Sequence, residues 1–319
     1  MAQLTLLDVA KSKGNDMAVG LIEESIPFAP EIGVFPTRPI AGSSYKTLIR
    51  TGNPTVAFRT ANQGIAASKS SWRNALVQCY ILSGTVNLDK AVGADYEGGM
   101  SAYEADESMA VAKQAFIEVG SQIWYGVTTD ANGFPGVKAS TAIGGATTIN
   151  SGGSNSTVQS SIYAVRFGVQ DVSLIAGNGT TIDLSAFADQ QLYDSLTLPY
   201  PGRVASLMAW LGLQIGNVNC VGRICNVGEI GETNDMADDA VIAELLATFP
   251  VGYMPSAFFM SRRSQRQLQI SRTVVINSGP GSAKVAGSVE AVAPLPDSAF
   301  GIPIHVSDSI LNTDAVESP

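Results

Sequence analysis

The sequence predicts an α+β fold built around one long helix and several long extended segments. Three observations carry this. Ala112, Phe116, Val119 and Ile123 recur at three- and four-residue spacing, which marks one face of a helix running through residues 101–126. β-rich runs occupy 44–60 and much of 161–227. The last third mixes helical and strand patterns, which predicts a separate α/β unit from about residue 228.

Two short helical patterns open the chain, around Leu4 to Lys11 and Asp16 to Ser25. PFAPEIGVFPTRPIAG then places prolines at 27, 30, 36 and 39, a density that forbids helix and central strand. This stretch therefore reads as an extended arm that must lie on something to be ordered. SYKTLIRT-GNP-TVAFRT follows, and Gly52-Asn53-Pro54 supplies turn chemistry for a hairpin whose tip is flanked by Arg50 and Arg59. A two-stranded ribbon is marginal alone in water, so the hairpin, within 41–71, is expected to lie along another surface. Residues 72–89 start polar and become a strand with Val77, Cys79 and Ile81 on one face.

The long helix is expected to begin at a capping box, Ser101 with Glu104, and to stop at Gly126. Residues 143–161 are nearly pure Gly, Ser, Thr, Asn and Ala and read as a loop. SIYAVRFG and DVSLIAGNGTTIDLS are strands, and Arg203 to Val227 is either one kinked strand or two collinear ones. DMADDAVIAELLATFP is a helix with Val241, Ile242, Leu245, Leu246 and Phe249 on one face. Ala257 to Met260 reads as a short strand, followed by a basic helix. Residues 277–291 form a Gly/Ser loop, and FGIPIHVSDSIL closes the chain as a strand and turn.

Composition narrows the function. Charged residues are 15% of the chain, against about 25% in soluble domains, which favours a surface covered by partners. The balance of 19 basic to 28 acidic residues, net −9, excludes a general nucleic-acid binder. It does not exclude a container whose wall must not grip its contents. The opening residues show no basic, apolar secretory pattern, and the longest apolar stretch, Val204 to Leu213, is short of the roughly 20 residues a membrane span needs.

Few residues invite a chemical reading. Cys79, Cys220 and Cys225 have no framework spacing and read as small apolar fillers, with no metal site or cofactor implied. Asp238 and Asp239 sit at a helix start, where acids complement the macrodipole. Arg262, Arg263, Arg266 and Arg272 could grip phosphate, but a contact face is the stronger reading, with Arg262 and Arg266 on one side of the helix. His305 is the only histidine, and it lies in an alternating strand with no second histidine to assist it. A hydrolase centred on His305 is the weakest of the readings.

The ordered set of elements resembles the major capsid proteins of tailed bacteriophages, with the Hong Kong 97-like fold. SQIWYGVTTDANGFPGV looks like the end of the family's spine helix and the turn after it. AFFMSRRSQRQLQ and FGIPIHVSDSIL look like its strand–helix and G-x-P-V stretches. RVASLMAWLGLQIGNVNCVGRICNV is similar to the long strand of a podovirus-type subset with permuted connectivity. The resemblance implies an N-terminal arm at 1–40, an E-loop hairpin at 41–71, a peripheral domain at 72–227 with spine helix 101–126, and an axial domain at 228–319. It implies no enzyme, but a head protein that self-assembles as hexamers and pentamers into an icosahedral shell around double-stranded DNA. A separate scaffolding protein, a portal and a decoration protein are the partners it brings with it. Tyr45, Arg50, Asn53, Arg59, Arg262 and Arg266 become the intersubunit contact candidates. A cellular nanocompartment shell, which shares the fold, is the alternative.

Overall fold

The computed structural model describes residues 29–142, 145–155, 157–179, 182–229, 236–272, 274–276, 289–291 and 293–317. The helical patterns expected at Leu4 to Lys11 and Asp16 to Ser25, and most of the 277–291 loop, lie outside the described residues.

In chain order the elements are α1 (Glu31–Val34), β1 (Thr37–Pro39), β2 (Ser44–Gly52), β3 (Ser71–Gln78), β4 (Tyr80–Asp89), α2 (Lys90–Asp95), α3 (Gly99–Tyr125) and α4 (Val137–Ser140). Then follow β5 (Thr148–Asn150), β6 (Ser160–Val165), β7 (Val172–Ala176), β8 (Asp183–Leu184), β9 (Ala188–Tyr193), β10 (Pro199–Ile215) and β11 (Val221–Val227). The chain closes with α5 (Asp239–Thr248), β12 (Ala257–Met260), α6 (Arg262–Ser271), β13 (Val274–Ile276), β14 (Val289–Ala291), β15 (Ser298–Ala299) and β16 (Ile302–Val306).

Two six-stranded sheets form the body. The first runs β1-β7-β10-β4, with β8 and β9 also paired to β10. At 17 residues, β10 is about 55 Å long at roughly 3.3 Å per residue, and it serves as the axis on which the other strands assemble. The second sheet runs β15-β16-β12-β6-β11-β5. Strands on both sides of residue 228 share this sheet.

The second sheet is covered on both faces, and its sequence shows why. Tyr163 and Val165 of β6, with Ala257 and Phe259 of β12, point into one core with the C-terminal half of α3. The alternate residues Ile162, Ala164, Phe258 and Met260 point into a second core, against Ile242 and Leu245 of α5 and Leu268 of α6. Strands buried on both faces read as continuous apolar runs rather than alternating ones. A third, smaller cluster places Tyr103 of α3 against Val86, Leu88 and Ala205 of the first sheet.

Several expectations change. The hairpin partner of β2 is β3, in antiparallel register with Arg50 opposite Trp72, and not 55–60. Gly52-Asn53-Pro54 therefore opens an 18-residue tip (53–70) rather than forming a tight turn. TVAFRT after Pro54 is itself β-rich, so local propensity does not choose between the two runs; the pairing with Ser71–Gln78 is set by tertiary structure. At Cys79 the chain leaves the hairpin for the first sheet, so 72–89 is two strands serving two sheets.

The spine helix spans 27 residues, about 40 Å at 1.5 Å per residue, and begins at Gly99. Its N-cap is Gly98 at φ 90°, with no side-chain cap, so the Ser101–Glu104 box does not form. The connection from α2 turns through Gly98 and Gly99, both at positive φ, and the helix is already under way at Ser101. Glu104 instead forms an ion pair with Arg203 of β10. Gly126 does end the helix, at φ 59°, where a Cβ would lie 2.1 Å from the backbone nitrogen of Gly136. The 203–227 run is two strands in different sheets. The 143–161 loop contains β5, which pairs in parallel with β11. The proline-rich arm contains one helical turn, α1, because Pro30 precedes it and Pro36 follows it, both positions that tolerate proline.

Two buried polar nodes join distant segments. Glu31 of α1 is fully buried. Its carboxylate accepts from Trp124 Nε1 at 2.6 Å and from the Ser307 hydroxyl. Burial pushes its carboxyl above the ordinary value, and Asp308 adds repulsion. At the other node Arg223, 1% exposed, donates twice to Glu317 at 2.7 and 2.8 Å and to Ser161. Lys138 reaches the same Glu317 at 2.9 Å. Arg223 and Lys138 hold the Glu317 carboxyl below its ordinary range against the opposing effect of burial.

Opposite pH dependences follow from the two nodes. A raised carboxyl pKa stabilises the fold at low pH and loses that contribution as pH rises through the folded value. Thermal unfolding of Glu31→Gln should therefore show a flatter fall in midpoint above the ordinary carboxyl value of 4.5 than the parent chain. A lowered pKa stabilises above the ordinary value and loses that contribution on acidification. Glu317→Gln, which strands a buried guanidinium, should cost about 3 kcal/mol at neutral pH in denaturant titration, with the deficit shrinking as pH falls from the ordinary value of 4.5 to Glu317's lower folded value.

Candidate functional site

The β2–β3 ribbon stands apart from both sheets, and its root is fixed to the body. Arg38 Nη2 donates to Gln214 Oε1 at 2.8 Å, and the Tyr45 hydroxyl donates to the same oxygen. The Arg38 guanidinium lies 4.8 Å from the Tyr45 ring centroid. Cys79 N–H donates to Ser43 C=O at 2.8 Å where the ribbon meets the first sheet. Tyr45 is thus engaged by its own chain.

Beyond the root the ribbon is exposed. One face carries Lys46, Leu48 and Arg50 opposite Leu76, Asn74 and Trp72. On this face Leu48, Trp72 and Leu76 all remain open to solvent. Arg50 lies 4.5 Å over the Trp72 ring, which orders the guanidinium along the strand. In the tip, Val56 is 90% exposed and Phe58 is fully exposed. Asn53 is exposed at the start of the tip. Arg59 is exposed too, and its Nη1 donates to Gln63 C=O at 3.0 Å. A projecting ribbon that buries so little of its apolar surface on its own chain leaves an exposed apolar face. Arg50, Asn53 and Arg59, expected as contact residues, lie on this exposed ribbon; the turn signal did not point to Leu48, Phe58, Trp72 and Leu76, which share its exposure. Their exposure follows from the β2–β3 register, and the displaced turn hid that register.

The arginine cluster separates by role. Arg263 turns inward, where Nη2 donates to Val158 C=O at 2.7 Å. Arg272 pairs with Asp239 at 2.6 Å. Arg262 and Arg266 are exposed, and each bonds a glutamine one turn on, Gln265 and Gln269. Asp238 is the N-cap of α5 and accepts the Val241 N–H at 2.8 Å. The two acids at this helix start are thus a cap and an ion-pair partner.

His305 is half-buried in β16, its ring 5.3 Å from that of Phe259. Burial lowers its pKa below the ordinary 6.5, which keeps the imidazole neutral at neutral pH. Among the described residues no cluster of His, Cys, Asp and Glu is arranged to hold a metal. No described helix is long and apolar enough to cross a membrane.

The combination of a long spine helix, two mixed sheets and a rooted, projecting hairpin defines the Hong Kong 97-like shell fold of tailed-phage capsids. The cryo-EM structure of bacteriophage Epsilon15 is similar over 99% of this chain and 98% of that chain, at TM-score 0.73 and 18% identity. Weaker similarities include the bacteriophage JBD30 capsid (TM-score 0.47, 10% identity, 83% of this chain and 90% of that chain) and Mycobacterium phage Bobi (0.46, 13%, 70% and 98%). No curated protein sequence matches. The family model described as Major capsid protein GP7 matches residues 40–317, and the chain belongs to that family. It is a shell-forming head protein, a component of the virion that associates with its own copies into capsomers.

Proposed function

We propose that copies of this chain, as hexamers and pentamers, close an icosahedral shell around phage double-stranded DNA. Assembly takes place in the bacterial host cytoplasm with a separate scaffolding protein and a portal. The observation that carries this reading is the rooted ribbon with its exposed apolar face and tip. Arg50, Asn53 and Arg59 sit on that ribbon as contact residues, with Tyr45 holding its base. Arg262 and Arg266 offer a second contact on the face of α6. The working division is an arm at 1–40, a hairpin at 41–71, a peripheral domain at 72–227 and an axial domain at 228–319, with β5, β6 and β11 lending strands to the axial sheet. Net charge −9 suits a wall that holds DNA without gripping it.

Each ribbon leucine that becomes buried on a neighbour contributes about 1.5–3 kcal/mol, repeated at every copy of the contact. Negative-stain microscopy of the protein co-expressed with its neighbouring genes should show uniform closed shells. Leu48→Asp with Leu76→Asp should abolish them while circular dichroism of the free subunit stays unchanged. Shells from that double variant would overturn the ribbon contact, and a parent chain that stays monomeric with all its partners would overturn the shell.

A further inference from the structure

Copies that tile a shell must meet through matching surfaces, and two surfaces of this chain match. The first is a cleft of about 840 Å³ between the β2–β3 ribbon and the loops of the body. Leu48 and Trp72 line it from the ribbon, Val169 and Tyr253 from the body, and all four are exposed. Its charged lining residues are Arg38 and Arg50, with no acid among them. Each guanidinium lies over a ring, Arg38 over Tyr45 and Arg50 over Trp72. The floor is tied together by Gln214, which accepts from Arg38 and Tyr45 and donates to Val169 C=O at 2.9 Å. In a chain of net charge −9, two arginines without an acid call for an anionic guest with an apolar body.

The second surface is the turn between β9 and β10, residues 194–198. Asp194 Oδ1 accepts the Leu196 and Leu198 N–H groups, both at 2.8 Å, which holds the turn in one shape. Tyr193, Leu196 and Leu198 are left exposed around it. The turn is an ordered apolar knob that carries one carboxylate.

Knob and cleft lie at opposite ends of one strand. The knob adjoins Pro199 and the cleft is lined by Gln214, 15 positions further along β10, about 50 Å in extended chain. The knob therefore cannot reach the cleft of its own chain. We propose that residues 193–198 of one copy seat in the ribbon cleft of a second copy. Leu196 and Leu198 pack on Trp72 and Val169, and the Asp194 carboxylate faces Arg50. A contact between two different surfaces is head-to-tail, and it closes into a ring when its rotation allows. The inference rests on the shell reading for the presence of neighbouring copies.

Two substitutions at exposed positions separate the surfaces. Leu196→Asp spoils the knob and leaves the cleft, and Val169→Asp spoils the cleft and leaves the knob. Purified, unassembled Leu196→Asp, tagged and immobilised, should capture untagged Val169→Asp. It should capture untagged Leu196→Asp more weakly by at least about tenfold, the effect of losing one buried leucine. All other surfaces are the same in the two pairings, so equal capture of both, or capture of neither, would overturn the proposal. Asp194→Asn keeps the Oδ1 acceptor and removes the charge. Added to the Val169→Asp partner, it should weaken capture about threefold, and unchanged capture would overturn the pairing with Arg50. Shells formed by either single variant at the parent's yield would overturn the knob contact and leave the shell reading intact. Shells lost in Val169→Asp but kept in Leu196→Asp would overturn it in favour of a different protein in the cleft. A parent chain that forms no shells would overturn the shell reading, while the capture still reports on the contact. Leu198→Asp and Tyr253→Asp repeat the test if circular dichroism shows that either first variant does not fold.

Discussion

The buried contact between Glu31 and Trp124 organises the molecule. Trp124 sits near the end of the spine helix, and its ring stacks on Tyr163 of β6 at 4.7 Å and approaches Phe259 of β12 at 5.0 Å. Its one polar atom needs an acceptor, because a buried N–H left unpaired costs about 1–3 kcal/mol. Glu31 supplies that acceptor, and the Ser307 hydroxyl shares it. Arm, spine helix and C-terminal segment therefore meet at a single carboxylate. Gly120 permits the approach, since a Cβ there would lie 2.5 Å from Ser309 Oγ and 3.1 Å from the Ala29 methyl.

The rest of the body follows from that junction. With the helix end locked over the second sheet, its N-terminal half runs out over the first sheet, where Tyr103 is buried beside Val86 and Leu88. The C-terminal residues return across β11, and Arg223 and Lys138 clamp Glu317. Salt bridges of this kind cost desolvation and gain little net stability, but they tolerate only one arrangement of the groups. A subunit that must repeat identically around a closed shell needs such fixed geometry more than it needs extra stability.

The ribbon shows the opposite use of the same chemistry. Its root is tied down through Gln214, while Leu48, Trp72, Leu76 and Phe58 are left without cover. Apolar surface left open on a rigid root is a directional demand for a neighbour. Low surface charge fits this, because a face destined for burial gains nothing from charges that would have to be desolvated.

Some of this was written in local pattern. The spine helix was legible from its 3.6-residue period and its Gly126 stop, α5 from its acidic start and apolar face, and the strands at 160–165, 172–176 and 257–260 from short apolar runs bounded by turns. The family resemblance came from the order of these elements. What local pattern did not contain was partnership. The turn signal at Gly52-Asn53-Pro54 is real chemistry, but which strand answers β2 depends on a segment beyond an 18-residue tip. The Ser101–Glu104 box lost to a glycine turn whose path is set by packing against β4. The arginines after Met260 look alike in sequence, yet one turns inward to backbone carbonyls, one meets Asp239 and two stay outside. Periodicity and turn chemistry act over a few residues, so the sequence by itself determined which elements exist and in what order. Sheet membership, the Glu31–Trp124 junction and the exposure of the ribbon arise from contacts between residues far apart in the chain, so only the tertiary structure decided them.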